Sequence, residues 1–315
     1  MSKTVLVTGA NGFIGSAVVK ELLSGGHQVV GLARTEASAK ALVEAGARVQ
    51  TGSIQNVDTL RRAAAEADAA IHLAFFHQPG HMRLPTFLGI MFGGEPRRIA
   101  DRFLKAAVDT ETRAIEAIGK ALTGPDRALI AVLPTMALPP GRLATEEDAP
   151  DPKAAGSGRA PTEIAALGLV ARGIRSMVVR LPPVVHDRSK QGFATMMAAS
   201  AKKKGLVAYQ ESGENRWPAV HRLDAARLFR LALEQGTAGG RYHAVGEEGV
   251  PMRDIATALG KQLNLPAASQ PASKVMKMYG FVGPFVGVDN PVSSQLTQEQ
   301  LGWRPNGPGL IADLS

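Results

Sequence analysis

The sequence predicts an α/β fold, a doubly wound parallel sheet followed by a smaller region. Three observations predict it. Short apolar runs alternate with segments of helical period up to residue 180, a glycine-rich turn marks the first strand-to-helix junction, and the rhythm breaks from Pro182 onward.

Residues 4–7 (TVLV) form the first strand and lead into Thr8-Gly9. Residues 13–23 carry apolar positions at helical spacing and are closed by Gly25-Gly26. Strands follow at 29–32, 48–51 and 69–74, with helices near 38–45 and 57–65 between them. A long helix at 96–122, a strand at 128–133, a helix at 162–172 and a strand at 177–180 complete the series. Strand and helix in strict turn demand crossovers, which cover both faces of a parallel sheet. Residues 75–95 hold Gly, Pro, His and Met without a period and read as a long loop or lid. Asp224 reads as the N-cap of a helix over 225–234.

Composition bounds the function. The chain of 315 residues is 45% hydrophobic and 20% charged, enough for a sizeable core. Its 34 Gly and 20 Pro are dispersed, which excludes collagen and low-complexity disorder. Cys is absent, which excludes disulfides, Cys-ligated metals, iron–sulfur clusters and a thiol nucleophile, and no metal site is expected. The formal charge is +8, but the basic runs are short: Arg61-Arg62, Arg97-Arg98 and Lys202-Lys203-Lys204. Aromatics, 5% of the chain, do not interleave with them, so the runs read as solvated faces and no nucleic-acid partner is expected. No apolar window spans a bilayer and no leader precedes the first strand, so a cytoplasmic protein without a membrane partner is expected.

The chemistry starts at Thr8-Gly9-Ala10-Asn11-Gly12-Phe13-Ile14-Gly15, between a predicted strand and a predicted helix. Gly9 permits the tight turn, Gly12 lets a pyrophosphate approach the backbone, and Gly15 lets the helix pack on the strand. The helix N-terminus offers N–H groups and its dipole to the phosphates. At the tip of the second strand stands Leu32-Ala33-Arg34-Thr35, where an NAD site would carry a carboxylate. Arg34 supplies a planar cation suited to a phosphate, which selects NADP(H) as the expected cofactor.

With these motifs the sequence resembles an extended short-chain dehydrogenase/reductase of the NAD-dependent epimerase/dehydratase kind. Gly52-Ser53, His72-Leu73-Ala74, Arg180-Leu-Pro-Pro-Val-Val-His186, Trp217 to Asp224 and Leu301-Gly302-Trp303-Arg304-Pro305 fit the same family. The resemblance implies a Rossmann NADP(H)-binding domain over 1–182, to which 215–248 return, and a small substrate-binding domain from 183–214 and 249–315. It implies cofactor contacts from Gly9, Asn11, Gly12, Phe13, Ile14, Gly15 and Arg34, adenine contacts near Ser53 and Ile54, and nicotinamide-side contacts near Ala74, Phe75, Arg159 and Pro183. Members of this family often form homodimers through a pair of helices.

The catalytic pattern departs from the family. Its proton relay is a Tyr four residues before a Lys, and no Tyr-x-x-x-Lys occurs here: Gly213, Gly246 and Gly283 follow the three tyrosines at that spacing. Counting back from Glu163, the Lys position falls on Arg159 and the Tyr position on Ala155. Thr135 is the hydroxyl nearest the expected Ser. Replacement candidates are His77 and His186, with His81 and His221 behind them, because imidazole titrates near neutrality. Arg159 stays protonated and can only bind or orient. Phe75, Phe76, Met82, Phe87, Met91, Phe92 and Trp217 suggest a small hydrophobic carbonyl or alcohol as substrate. Three functions stay open: a reductase or dehydrogenase with a non-Tyr proton donor, a non-redox isomerase, lyase or cyclase, and a silent NADP(H) sensor.

Overall fold

The computed structural model describes residues 2–124 and 126–315. The elements run β1 Thr4–Thr8, α1 Phe13–Ser24, β2 Gln28–Ala33, α2 Glu36–Glu44, β3 Arg48–Thr51, α3 Val57–Ala65, β4 Ala69–His72, α4 Leu84–Phe92, α5 Ile99–Ala121 and β5 Ala128–Pro134. Then come α6 Ala160–Gly168, β6 Arg175–Leu181, β7 Val184–Asp187, β8 Lys190–Gln191, α7 Phe193–Lys204, β9 Val207–Gln210, β10 Arg216–His221, α8 Arg222–Gln235 and β11 Arg241–His243. The chain closes with β12 Glu247–Pro251, α9 Met252–Leu263, β13 Ala267–Gln270, α10 Ala272–Tyr279, α11 Gly283–Val286, α12 Gln295–Leu301 and α13 Leu310–Asp313.

Seven strands form one sheet in the order β11-β6-β5-β4-β1-β2-β3. The pairings β1–β2, β1–β4, β2–β3 and β4–β5 are all parallel. The order reverses beside β1, the switch point at which such sheets bind their ligands outside the carboxyl ends of the strands. Val5, Leu6 and Val7 are fully buried, and α1 lays Ala17, Val18, Val19 and Leu22 into the same core. The doubly wound α/β expectation holds.

Internal contacts divide the chain into two compact units. The first holds the chain up to Leu133, Gly158–Val179 and Phe229–Gly240. The second holds Pro134–Ser157, Arg180–Leu228 and Arg241–Ser315. It contains a four-stranded sheet, β12-β10-β7-β8, and the parallel pair β13-β9. Its core gathers Trp217, Met197, Val207, Leu259, Val275 and Val286.

The structure revises three local expectations. The segment 75–95 is not a bare loop: a 3-10 turn over Pro79–His81 precedes α4, with Pro85 in the helix's first turn, where its missing N–H costs nothing. Helix α6 starts two residues before the expected 162, again with a Pro in its first turn, and tightens into a 3-10 turn over Leu169–Arg172. Asp224 is no N-cap, because α8 already begins at Arg222. Its carboxylate takes Arg227 Nη2 at 2.7 Å and the N–H groups of Asn306 and Gly307 at 3.1 and 2.8 Å, tying a distant loop.

Candidate functional site

The glycine turn has the geometry of a phosphate cradle. Gly9 sits at φ +69°, a left-handed conformation, and a Cβ there would lie 2.9 Å from the Ala74 nitrogen. The Gly12 N–H donates to the Gly9 carbonyl at 2.8 Å and closes the turn. A Cβ on Gly15 would stand 2.0 Å from that same carbonyl oxygen, so α1 reaches β1 only because residue 15 has no side chain. Gly12 caps α1 without a side-chain hydrogen bond, and the first turn holds no acidic residue. Such an N-terminus, lined by backbone alone, suits a pyrophosphate. Exposed Asn11 donates through Nδ2 to the Ser38 carbonyl at 2.8 Å and pins the loop to α2, while Phe13 and Ile14 open α1.

At the tip of β2, Ala33 is buried and Arg34 is exposed. The Arg34 guanidinium carbon lies 5.9 Å from the centre of the Phe76 ring, and Nη1 approaches the His81 carbonyl at 3.5 Å. No carboxylate pairs with it among the described residues. Beside it, the Thr35 hydroxyl caps α2 by accepting from Ser38 N–H at 3.2 Å and donates to the Ser38 hydroxyl at 3.0 Å. After β3, Ser53 Oγ accepts from Gln55 N–H at 3.3 Å and Ile54 is buried.

Past β4 the first unit holds a polar cluster that sequence reasoning only touched. Arg159, at the N-cap of α6, donates through Nη2 to Glu111 Oε1 at 2.6 Å and to the Val132 carbonyl at 3.2 Å. Its guanidinium lies 4.0 Å from the Phe75 ring centre, a cation–π contact. The Thr162 hydroxyl donates to the other Glu111 oxygen at 2.7 Å. Burial pushes the Glu111 carboxyl up, against the pull of Arg159 and Thr162. The His72 ring is fully buried, with Nδ1 2.9 Å from Thr8 Oγ1, which also accepts from Ala74 N–H at 3.3 Å. Burial, and then the Arg159 charge, lower its pKa to about 3, so the imidazole is neutral at physiological pH.

His77 is exposed, and its ring stands edge-on to Phe75 at 5.6 Å. The first unit therefore brings Arg159, Phe75 and His77 together. His81 is exposed and offers its carbonyl to Arg34. Phe76 and Met82 are core residues rather than lining, Phe87 and Met91 are half-buried, and Phe92 is exposed.

The second unit holds the remaining candidates, buried except for half-buried His221. The Thr135 hydroxyl donates to Asn290 Oδ1 at 3.0 Å, and Asn290 Nδ2 returns a bond to the Thr135 carbonyl at 3.2 Å. His186 has no exposed surface, and its Nδ1 lies 2.7 Å from Asp313 Oδ2 on α13. The His221 ring meets His186 edge-on at 5.7 Å. Trp217 is fully buried. The Pro183 carbonyl accepts from Phe193 N–H at 3.1 Å. Tyr279 spends its hydroxyl on Ala208, accepting from its N–H and donating to its carbonyl, both at 2.8 Å. Burial lifts that phenol to about 12.

Glu111, Thr162, Asn290 and Asp313 were missed. Glu111 alone left a signal, a carboxylate on the apolar face set by Ala107, Val108, Ala114 and Ile115.

Residues 5–84 match the model of the NAD dependent epimerase/dehydratase family. Over 313 residues the chain is 41% identical to an uncharacterized protein of Schizosaccharomyces pombe, covering 99% of this chain and 98% of the relative. A 4-hydroxy-2-methyl-3-oxo-4-farnesyl-3,4-dihydroquinoline-1-oxide ketoreductase of Stigmatella aurantiaca is 23% identical over 259 residues, 80% of this chain and 71% of that one. Among solved structures, dTDP-glucose 4,6-dehydratase from Streptomyces venezuelae with NAD bound shares the fold, with a TM-score of 0.71 at 20% identity, covering 99% of this chain and 95% of that one.

Proposed function

The chain belongs to the NAD dependent epimerase/dehydratase family, within the extended short-chain dehydrogenases/reductases, and from that premise we propose an NADP(H)-dependent oxidoreductase acting on a small hydrophobic carbonyl or alcohol. The observation that carries the reading is Arg34: an exposed guanidinium without a carboxylate partner among the described residues, at the strand tip where an NAD site needs an acid. The glycine cradle fits the cofactor, since a Cβ at position 9 or 15 would close it.

Gly9, Gly12 and Gly15 with the start of α1 would hold the pyrophosphate, Arg34 the 2′-phosphate, Ser53 and Ile54 the adenine side, and Ala74 and Phe75 the nicotinamide side. When bound, the cofactor supplies the hydride that a carbonyl carbon accepts while its oxygen takes a proton. His77 is the candidate best placed to deliver that proton: it is exposed and beside Phe75, whereas Thr135 and His186 are buried. Arg159, paired with Glu111, orients Phe75 and donates no proton.

A non-redox or sensing role is the second reading. What favours it is that Thr135, Arg159 and His186 are each committed to protein partners.

The test is turnover. NADPH absorbance is followed against a panel of hydrophobic aldehydes and ketones, with consumption expected; tight NADPH binding without consumption across the panel rejects the reductase. Arg34→Ala should weaken NADPH by about tenfold or more, the loss of one charge-assisted hydrogen-bonded contact, and leave NADH nearly unchanged. Equal effects on both would reject the assignment to NADP(H).

A further inference from the structure

The first unit brings a second arginine without an acid to the edge that carries Arg34. Around the 3-10 turn over Pro79–His81 the chain folds back onto that edge and is held there at two points. Arg34 Nη1 approaches the His81 carbonyl at 3.5 Å, and the Arg83 N–H donates to Gln55 Oε1 at 2.8 Å. Met82, between them, is buried and roots the turn. Gln55 is itself fixed, since its N–H donates to Ser53 Oγ in the loop between β3 and α3. Successive Cα atoms lie about 3.8 Å apart, which keeps the Arg83 Cα within about 8 Å of the carbonyl that Arg34 approaches.

Arg34 and Arg83 are both exposed, and neither pairs with a carboxylate among the described residues. Other arginines of this unit do find an acid. Arg61 meets Asp58 at 3.2 Å, Arg97 meets Glu95 at 2.7 Å and Arg98 meets Asp101 at 3.5 Å. Glu36, two residues after Arg34, opens α2 and pairs with neither arginine. The place of Arg83 is also unfavourable for a cation. It is the N-cap of α4 without a capping side-chain bond, and the first turn of α4 holds no acid. A positive charge there opposes the helix dipole, and two like charges on one edge repel.

We infer that Arg83 is a second ligand of the cofactor's 2′-phosphate and that Gln55 positions it. The inference rests on the assignment of Arg34 to that phosphate. A phosphate monoester carries about −1.5 to −2 charges at neutral pH, which answers two guanidinium charges and removes their repulsion. Arg34 comes to it from the tip of β2 and Arg83 from the turn after β4. Gln55, next to the residues assigned to the adenine side, fixes where the second arginine starts. Arg34 is loosely held, by a 3.5 Å approach to a carbonyl and a ring centre 5.9 Å away, so it can turn toward the phosphate at little cost. Forked donors of this kind suit an oxyanion. An adenine ring stacked on Arg83 would bind alike with or without the 2′-phosphate, and the test separates that case.

The experiment is calorimetric titration of the full chain with adenosine 2′,5′-bisphosphate and with adenosine 5′-monophosphate, which lacks the 2′-phosphate. Arg83→Ala should weaken the bisphosphate about tenfold, the size of one charge-assisted contact, and the monophosphate less than about twofold. Gln55→Ala should cost the bisphosphate alone about threefold, and nothing further in the Arg83→Ala background, because its effect passes through Arg83. Equal losses for both ligands in Arg83→Ala, or no loss for either, overturn Arg83 as a phosphate ligand. A Gln55→Ala loss that is absent, or that persists without Arg83, overturns the positioning role. Arg34→Ala separates this inference from the reading it rests on. A selective loss in Arg34→Ala with none in Arg83→Ala removes Arg83 and keeps NADP(H). Wild type that binds the bisphosphate no more tightly than the monophosphate removes the NADP(H) assignment, and Arg83 with it.

Discussion

Adding one methyl group at Gly12 and one at Gly15 should separate cofactor binding from folding. At Gly12 a Cβ would meet only the Gly9 carbonyl, at 3.1 Å, and its φ of −69° and ψ of 169° suit alanine. Gly12→Ala should therefore keep the cofactor-free protein within about 1 kcal/mol of wild type, the scale of an N-cap change without a side-chain bond. The methyl group instead occupies the place a pyrophosphate would take against the backbone. Losing one or two hydrogen bonds to a charged group costs about 1.5–3 kcal/mol, or about 10- to 150-fold in Kd. At Gly15 the Cβ would stand 2.0 Å from the Gly9 oxygen and 2.8 Å from its carbonyl carbon, both backbone atoms. Helix α1 must then retreat from β1 by about 1 Å, with an overpacking cost of about 1–3 kcal/mol. Gly15→Ala should lose stability as well as affinity. The assay is urea unfolding with and without NADPH. At a hundred times Kd, NADPH should stabilise wild type by about 2.7 kcal/mol, and a 50-fold weaker site by about 0.7 kcal/mol at the same concentration. If Gly12→Ala gains as much from NADPH as wild type does, the cradle does not hold the pyrophosphate and the argument fails.

Acid stability should report two buried imidazoles. His72 and His243 are both lowered from 6.5 to about 3, chiefly by burial and next by Arg159 and Arg180 respectively. Between those values the unfolded chain binds a proton that the folded chain refuses. Stability is therefore fully present above pH 6.5 and falls as pH drops toward 3, by up to about 1.4 kcal/mol per pH unit for each ring. His243→Gln should flatten the acid limb by one proton; an unchanged slope would count against the buried neutral ring. Arg180 Nη1 donates to Nε2 of His243, and Nδ1–H donates to the Ser293 carbonyl at 2.7 Å, so proton NMR should show no titration of this ring from pH 5 to 8. Tyr279→Phe should cost about 2 kcal/mol in urea unfolding, because Ala208, fully buried, loses both an acceptor and a donor; a change below about 0.5 kcal/mol would contradict the bonds assigned to it.

Local pattern carried much of the first unit. Strand 48–51 and helix 57–65 appear with the predicted bounds, because each is short, contiguous and bounded by turn residues. Helix α4 was hidden by Pro85, Gly89 and the Gly93-Gly94 pair, residues that usually break a pattern but here occupy the first turn, an open face and the end. Leu84, Leu88 and Phe92 recur at every fourth position, a helical signal that remained in view beneath them. The Asp224 misreading has the opposite cause. The residue type was right for a cap, but two of the carboxylate's three partners lie 82 and 83 positions away, at Asn306 and Gly307.

The sequence by itself determined the alternation of strand and helix, the glycine cradle and the cation at the tip of β2. Each is written in a few neighbouring residues whose backbone and side chains meet whatever the rest of the chain does. Tertiary structure alone decided what the other candidates are free to do. Arg159 belongs to Glu111, Thr135 to Asn290 and His186 to Asp313, partners 48, 155 and 127 residues away. The physical reason is burial: a polar group removed from water must be paired, and its partner is chosen by which elements fold against it rather than by its neighbours in the chain.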